Sequence, residues 1–222
     1  MSDVADIVFL FDVDNTLLDN DRFQEDLRDR LNAEFGDRLC ERYWAFFEAI
    51  RVELGYADYL GALERLRLEE MQKPELLGLA NWILDYPFAD RLYPHALEVV
   101  KRVSQWGPAV ILSDGDAVFQ PRKIARSGLW EAFGGHVLIY IHKEREIAHV
   151  ERFYPAKHYV LVDDKSRILA AVKSLWRDRV ATVFPKQGHY ALDKASLADA
   201  PSVDIAIDAI GDLLRYERSA FK

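Results

Sequence analysis

Residues 7–11, Ile-Val-Phe-Leu-Phe, form an apolar run without polar alternation that ends on Asp12 and Asp14. A strand of this kind is buried on both faces, and only a sheet covered by helices on both sides provides that environment. Comparable runs occur at 109–112, 137–141, 159–162 and 180–184, with a weaker one at 203–207. Helical patterns lie between them. Ile168, Ala171, Val172, Leu175 and Trp176 share one helix face, and Leu97, Val100 and Val103 repeat the pattern with fewer members. Strand alternating with helix predicts crossover units and a mostly parallel sheet, whose ligands sit beyond the C-terminal strand ends.

The alternation breaks once. From 18 to 88 there is no convincing strand, only apolar stripes: Phe23, Leu27, Leu31 and Phe35, then Tyr43, Phe47 and Ile50, then Leu60, Leu63 and Leu66, then Leu76, Ala80, Ile83 and Leu84. Gly36, Gly55 and Pro74 are the expected breaks between helices. The predicted architecture is α/β: a Rossmann-like core from 1–17 and 89–222, flanked by helices, with an all-α cap at 18–88. The insert reads either as a helical hairpin or dimerisation element, or as a lid over the strand ends.

Composition narrows the function classes. A chain of 222 residues, 50% hydrophobic and 30% charged, suits a globular core with an appendage and excludes disordered and collagen-like chains. Its 29 basic and 37 acidic residues give a net charge of −8 with no dense basic run, so nucleic acid is not an expected partner. Its apolar runs fall far short of the ~20 residues that span a bilayer. The start, Met-Ser-Asp-Val-Ala-Asp, lacks the basic segment of a secretory signal, and a cytoplasmic location is expected. The single Cys40 forms no intramolecular disulfide and makes no metal site alone.

The strand ends carry the chemistry. Residues i and i+2 of an extended chain point the same way, so Asp12 and Asp14 address one site. Thr16 follows them; Ser113-Asp114-Gly115 closes the second strand, Lys143 follows the third, and Asp163-Asp164 closes the fourth. In this ordered set the sequence resembles the haloacid dehalogenase (HAD) superfamily, in particular its phosphatase branch. The family's first motif, Asp-x-Asp-x-Thr, is matched by Asp12, Asp14 and Thr16. Its strand-end Ser or Thr is matched by Ser113, its acidic pair by Asp163 and Asp164, and its Lys best by Lys143, with Lys123, Lys157 and Lys165 as rivals. The insert stands where one class of these enzymes carries a helical cap. Glu144 replaces the Pro that often follows the Lys, and Ile168 replaces a further acid. The namesake dehalogenases lack the second Asp, so Asp14 favours phosphoryl transfer.

The resemblance implies a Mg²⁺-dependent phosphatase acting on a small phosphorylated metabolite through an aspartyl-phosphate. Asp12 would be the nucleophile and Asp14 the general acid, then base. Lys143 and Ser113 would stabilise the phosphoryl oxygens, with Thr16, Asp114 and Gly115 as further substrate-binding candidates. Clustered carboxylates repel one another, and a hard cation relieves that repulsion. The implied metal ligands are Asp12, the Asp14 backbone carbonyl and Asp164, with Asp163 a direct ligand or the partner of one. Arg51, Tyr56, Asp58 and Tyr59 in the insert are candidates to face substrate. The competing readings are a phosphomutase with the same nucleophile, a receiver-like signalling domain, and an inert binding module. The length and the insert argue against the receiver.

Overall fold

The structure, a computed structural model, describes residues 4–189 and 203–221. Strands β1 (Ala5–Phe11), β2 (Ala109–Asp114), β3 (Val137–Tyr140), β4 (Ala156–Val162), β5 (Val180–Pro185) and β6 (Ile205–Ile207) form one sheet in the order β3-β2-β1-β4-β5-β6. Every neighbouring pair is parallel. All six apolar runs of the sequence therefore become strands; Ile141, half exposed, drops out of the third, and Val203 and Asp204 drop out of the sixth.

The period of two along β1 divides the core into two faces. Val8 and Leu10 join Val110, Leu112 and Leu161 on one face, under α9 (Ser166–Trp176) and α8 (Ile147–Phe153). Ile7, Phe9 and Phe11 join Ile111, Val160 and Val162 on the other, under α5 (Ala96–Val103), α6 (Phe119–Arg126) and the short α7 (Leu129–Ala132). Each such buried side chain contributes about 1.5–3 kcal/mol relative to exposure, which is what the unalternating runs are for. Each of two helical stripes differs from its expected membership by one exposed residue. Leu97 and Leu175 are exposed, while Val99 and Leu169 are buried in their stead. Neighbouring apolar residues widen both stripes, and the contact with the sheet selects which edge is covered.

Four helices follow β1 before the next strand: α1 (Asn20–Phe35), α2 (Asp37–Leu54), α3 (Tyr59–Glu69) and α4 (Leu76–Asp85). The Asp19 carboxylate caps α1 by accepting from Arg22 N at 3.0 Å. Gly36 and Gly55 close α1 and α2 at positive φ (79° and 84°), where glycine avoids a Cβ clash. Phe23 of α1 gathers Tyr59, Trp82, Tyr86 and Phe88, and also meets Phe119 of α6 at 5.7 Å. That aromatic cluster joins the inserted helices to the sheet-packing layer.

The two connections to the insert lie side by side. Asp19 N donates to Arg91 O (2.7 Å) and Tyr93 N to Leu17 O (2.9 Å), with Leu18 bridging Leu92 antiparallel. The returning chain thus meets the outgoing one at 91–93, just beyond the expected end of the insert at 88.

Candidate active site

Strand register brings the candidate residues to one edge. Phe11 lies opposite Ile111 on one side and Val162 on the other, so the segments after β1, β2 and β4 emerge together. Asp12 N extends the pairing by donating to Val162 O at 2.9 Å. The sheet reverses its winding direction here, between central β1 and its two neighbours, where doubly wound folds place ligands.

Lys143 stands in a short turn after β3 and is completely buried. Its ammonium is 2.6 Å from Asp12 Oδ1 and 2.7 Å from Asp163 Oδ2, and it donates to Leu112 O at 3.2 Å. Its backbone N–H donates to Asp114 Oδ1 at 2.8 Å. Burial alone would push this lysine down; Asp12, Asp163 and Asp114 more than offset that and hold it above its ordinary value. Among its rivals, Lys157 lies on the surface in an ion pair with Asp6, and Lys165 lines the pocket beside Asp164. Lys123 is buried elsewhere in the site.

Asp12, Asp163 and Asp164 each offer an oxygen within 4.8 Å of the others, all three residues buried. Burial raises the carboxyls of Asp163 and Asp164 above the usual range, Asp164 the more strongly. Asp12 Oδ2 and both oxygens of Asp164 find no hydrogen-bond partner among the described residues. Buried carboxylate oxygens left without donors are costly unless something else supplies positive charge. The donor set fits a small hard cation.

The remaining candidates fall into distinct places. Asp14 is not a member of that triad: both its oxygens accept from Lys123 Nζ, at 2.7 and 2.9 Å, and Oδ2 takes a longer bond from Gln120 at 3.4 Å. Ser113 Oγ accepts from Gln120 Nε2 (3.0 Å) and donates only weakly to Asp114 O (3.4 Å), so its proton is easily redirected. Thr16 is fully buried, and its hydroxyl accepts from Asp164 N at 3.1 Å, tying the loop after β1 to the acidic pair. The Gly115 amide is engaged with Tyr140 O at 2.9 Å, and a Cβ at Gly115 would meet Gln120 at 2.7 Å.

A cavity of about 240 Å³ opens above these groups. Asp14, Asp114, Asp164, Lys165 and Arg167 line it from the sheet side; Gln24, Arg51, Tyr56 and Tyr59 line it from the inserted helices. Asp58 does not line it: its carboxylate accepts from Gly61 N at 2.7 Å and caps α3. Sequence reading did not single out Gln120, Asn20, Arg167 or His189. Gln120 and Lys123 stand three residues apart on the helix after Ser113, a spacing that places both on one face.

A parallel doubly wound sheet with buried acids and a buried lysine at its C-terminal edge is an enzyme architecture of the α/β class. The sequence matches the family model for haloacid dehalogenase-like hydrolases over residues 8–186, and the chain belongs to that family of hydrolases. A haloacid dehalogenase-like hydrolase of solved structure from Burkholderia xenovorans LB400 is similar at 55% identity and a TM-score of 0.92, over 97% of this chain and 98% of that one. L-2-haloacid dehalogenase from Xanthobacter autotrophicus shares the fold at 17% identity and TM-score 0.61, over 94% and 96% of the two chains. The magnesium-bound HAD-hydrolase YfnB of Bacillus subtilis does so at 14% identity and TM-score 0.60, over 95% and 98%. Among curated proteins none matches. No helix among the described residues is long and apolar enough to cross a membrane.

Proposed function

We propose that this hydrolase is a Mg²⁺-dependent phosphatase that cleaves a small phosphorylated metabolite through an aspartyl-phosphate. The observation that carries the reading is Asp14: a second carboxylate, two residues after Asp12, standing at the cavity wall. Expelling an alkoxide needs a proton donor, whereas expelling a halide does not. An acid placed there therefore favours phosphate esters over haloacids.

Asp12 Oδ2 attacks phosphorus, forming the new P–O bond as the ester P–O bond breaks, and the departing oxygen takes a proton from Asp14. Water then attacks the phosphorus of the aspartyl-phosphate and gives a proton to Asp14; orthophosphate leaves and Asp12 is restored. Lys143 neutralises charge on Asp12 and the phosphoryl group, and Ser113 donates to one phosphoryl oxygen. Asp12, Asp164 and the Asp14 carbonyl would hold Mg²⁺, with Asp163 fixed by Lys143 beside them. The cation, when bound, supplies charge neutralisation and phosphate orientation.

The test is a panel of phosphorylated metabolites and an aryl phosphate, run beside 2-haloacids, with phosphate and halide both measured. Phosphate release that stops with EDTA and returns with Mg²⁺ is expected; halide release alone would replace this reading with dehalogenation. A stable phosphorylated product in place of orthophosphate would indicate a mutase. Cation binding is also visible without turnover. At 100-fold excess over Kd it adds ~2.7 kcal/mol, a rise of about 5–10 °C in Tm. An unmoved melting curve would remove the cation from the site.

The segment 18–88 acts, in this reading, as a cap that shields the cavity during transfer and admits water afterwards. Gly55 at the end of α2 approaches His142, next to Lys143, so closely that a Cβ would lie 2.6 Å from the imidazole. Gly55→Ala combines that clash with a strained left-handed residue, and is expected to raise KM by roughly 5-fold, equivalent to about 1 kcal/mol. Gly36→Ala, also at positive φ but with nothing within 4 Å, carries the strain without the contact. It should lower Tm and leave KM alone. Equal effects of the two variants on KM would deny the Gly55–His142 contact a role.

A further inference from the structure

We propose that Lys123 is the positioning residue for Asp14, a role the mechanism above leaves unassigned; the inference rests on reading Asp14 as the general acid. Lys123 lies on α6, far from Asp14 in sequence, and is 0% exposed. All three of its ammonium protons have acceptors: Asp14 Oδ1 at 2.7 Å, Asp14 Oδ2 at 2.9 Å and Asn20 Oδ1 at 2.9 Å. The rings of Phe119, Tyr59 and Phe88 surround it, with centroids at 5.2, 5.9 and 5.9 Å. A buried lysine so enclosed has one available geometry, and no water competes for its protons.

Its acceptor partners differ in freedom. Asn20 is itself fixed, donating from Nδ2 to Tyr59 Oη at 3.2 Å and from its backbone N–H to Asn15 Oδ1 at 3.0 Å. The Asp14 side chain is 26% exposed and opens to the cavity. A carboxylate on a loop with an open face would otherwise sample several rotamers. Two bonds from one ammonium, with Gln120 behind, select the one that faces substrate. Gln120 also bonds Ser113, so one helix face orients both the proton-transferring acid and the phosphate-binding hydroxyl.

A positioning role predicts an effect confined to the proton-transfer step. The experiment compares 4-nitrophenyl phosphate with phenyl phosphate, which share the aryl phosphate group but differ in leaving-group basicity. Wild type, Asp14→Asn, Lys123→Met and the double variant are assayed with Mg²⁺. Asp14→Asn should lose far more kcat on the phenyl ester. Lys123→Met should show the same selectivity, losing roughly 10–100-fold on phenyl phosphate and less than about 5-fold on the nitrophenyl ester, part of the ~10²–10⁴-fold that positioned acid–base catalysis supplies. The double variant should be no slower than Asp14→Asn.

Equal losses on both esters, or losses that multiply in the double variant, would overturn the assignment while leaving Asp14 as the acid. If Asp14→Asn itself shows no leaving-group selectivity, the acid reading falls and takes the assignment with it. Should Lys123→Met fail to fold, as judged by circular dichroism, Lys123→Arg keeps the charge but moves the carboxylate. The same selective loss is then expected, and an unselective one overturns the proposal.

Discussion

Asp12→Asn is expected to abolish turnover, by roughly 10⁴-fold or more, and to leave no phosphoenzyme after acid quench. The substitution keeps the shape of the side chain and one acceptor for the Lys143 ammonium, 2.6 Å away. It also removes one of three mutually repelling buried carboxylates. Folding should therefore be unharmed, and Tm in the absence of divalent cation unchanged or higher. Loss of activity with an intact melting curve separates chemistry from stability in one variant. Retained turnover would mean that another group attacks the substrate.

Lys143→Met should damage the fold as well as the reaction. The lysine holds Asp12 and Asp163 together while its own charge is fully desolvated. Removing the ammonium leaves the buried acids it holds uncompensated and costs about 3–5 kcal/mol, a fall of roughly 10 °C in Tm for a chain of this size. Mg²⁺ should recover part of that loss, because it supplies positive charge to the same oxygens. Activity should remain low with the cation present, since the charge facing the nucleophile is absent. A variant as stable as wild type without cation would show that the ion pairs contribute little.

The legibility of this molecule in its sequence follows the range of the forces involved. The strands were readable because burial on both faces leaves a local mark, five or so consecutive apolar residues, that no turn or exposed helix imitates. Asp12 and Asp14 were readable because they terminate such a strand. Lys143 was readable only as the best of four lysines: its place against Asp12 depends on β3 lying beyond β2 in the sheet, an order that no local pattern encodes. Lys123 was named only as one of the rivals, because its partner Asp14 is remote in sequence and a buried lysine looks like any surface one until its neighbours are known. Thr16 belongs to the first motif, yet its hydroxyl turned out to brace the backbone of Asp164, a contact between two strand-end loops. In the insert, Asp58 reads from sequence as a candidate to face substrate, whereas the structure uses its carboxylate to cap α3.

The paired segments at 17–19 and 91–93 make the inserted helices a closed loop whose two ends are stitched to each other. Whatever lies between those stitches can change length without disturbing the register of the sheet, because the entry and exit points are fixed by backbone bonds outside it. The entropic charge for a longer loop is small, about 0.6 kcal/mol for each doubling. The part of the chain that surrounds a ligand is thus free to drift in size and shape, while the part that breaks bonds stays constant. Grafting a foreign helical insert between Asp19 and Arg91 would alter what is admitted to the site and keep the strand pairing. The graft would have to restore the contact of Phe23 with Phe119 and the bond from Lys123 to Asn20.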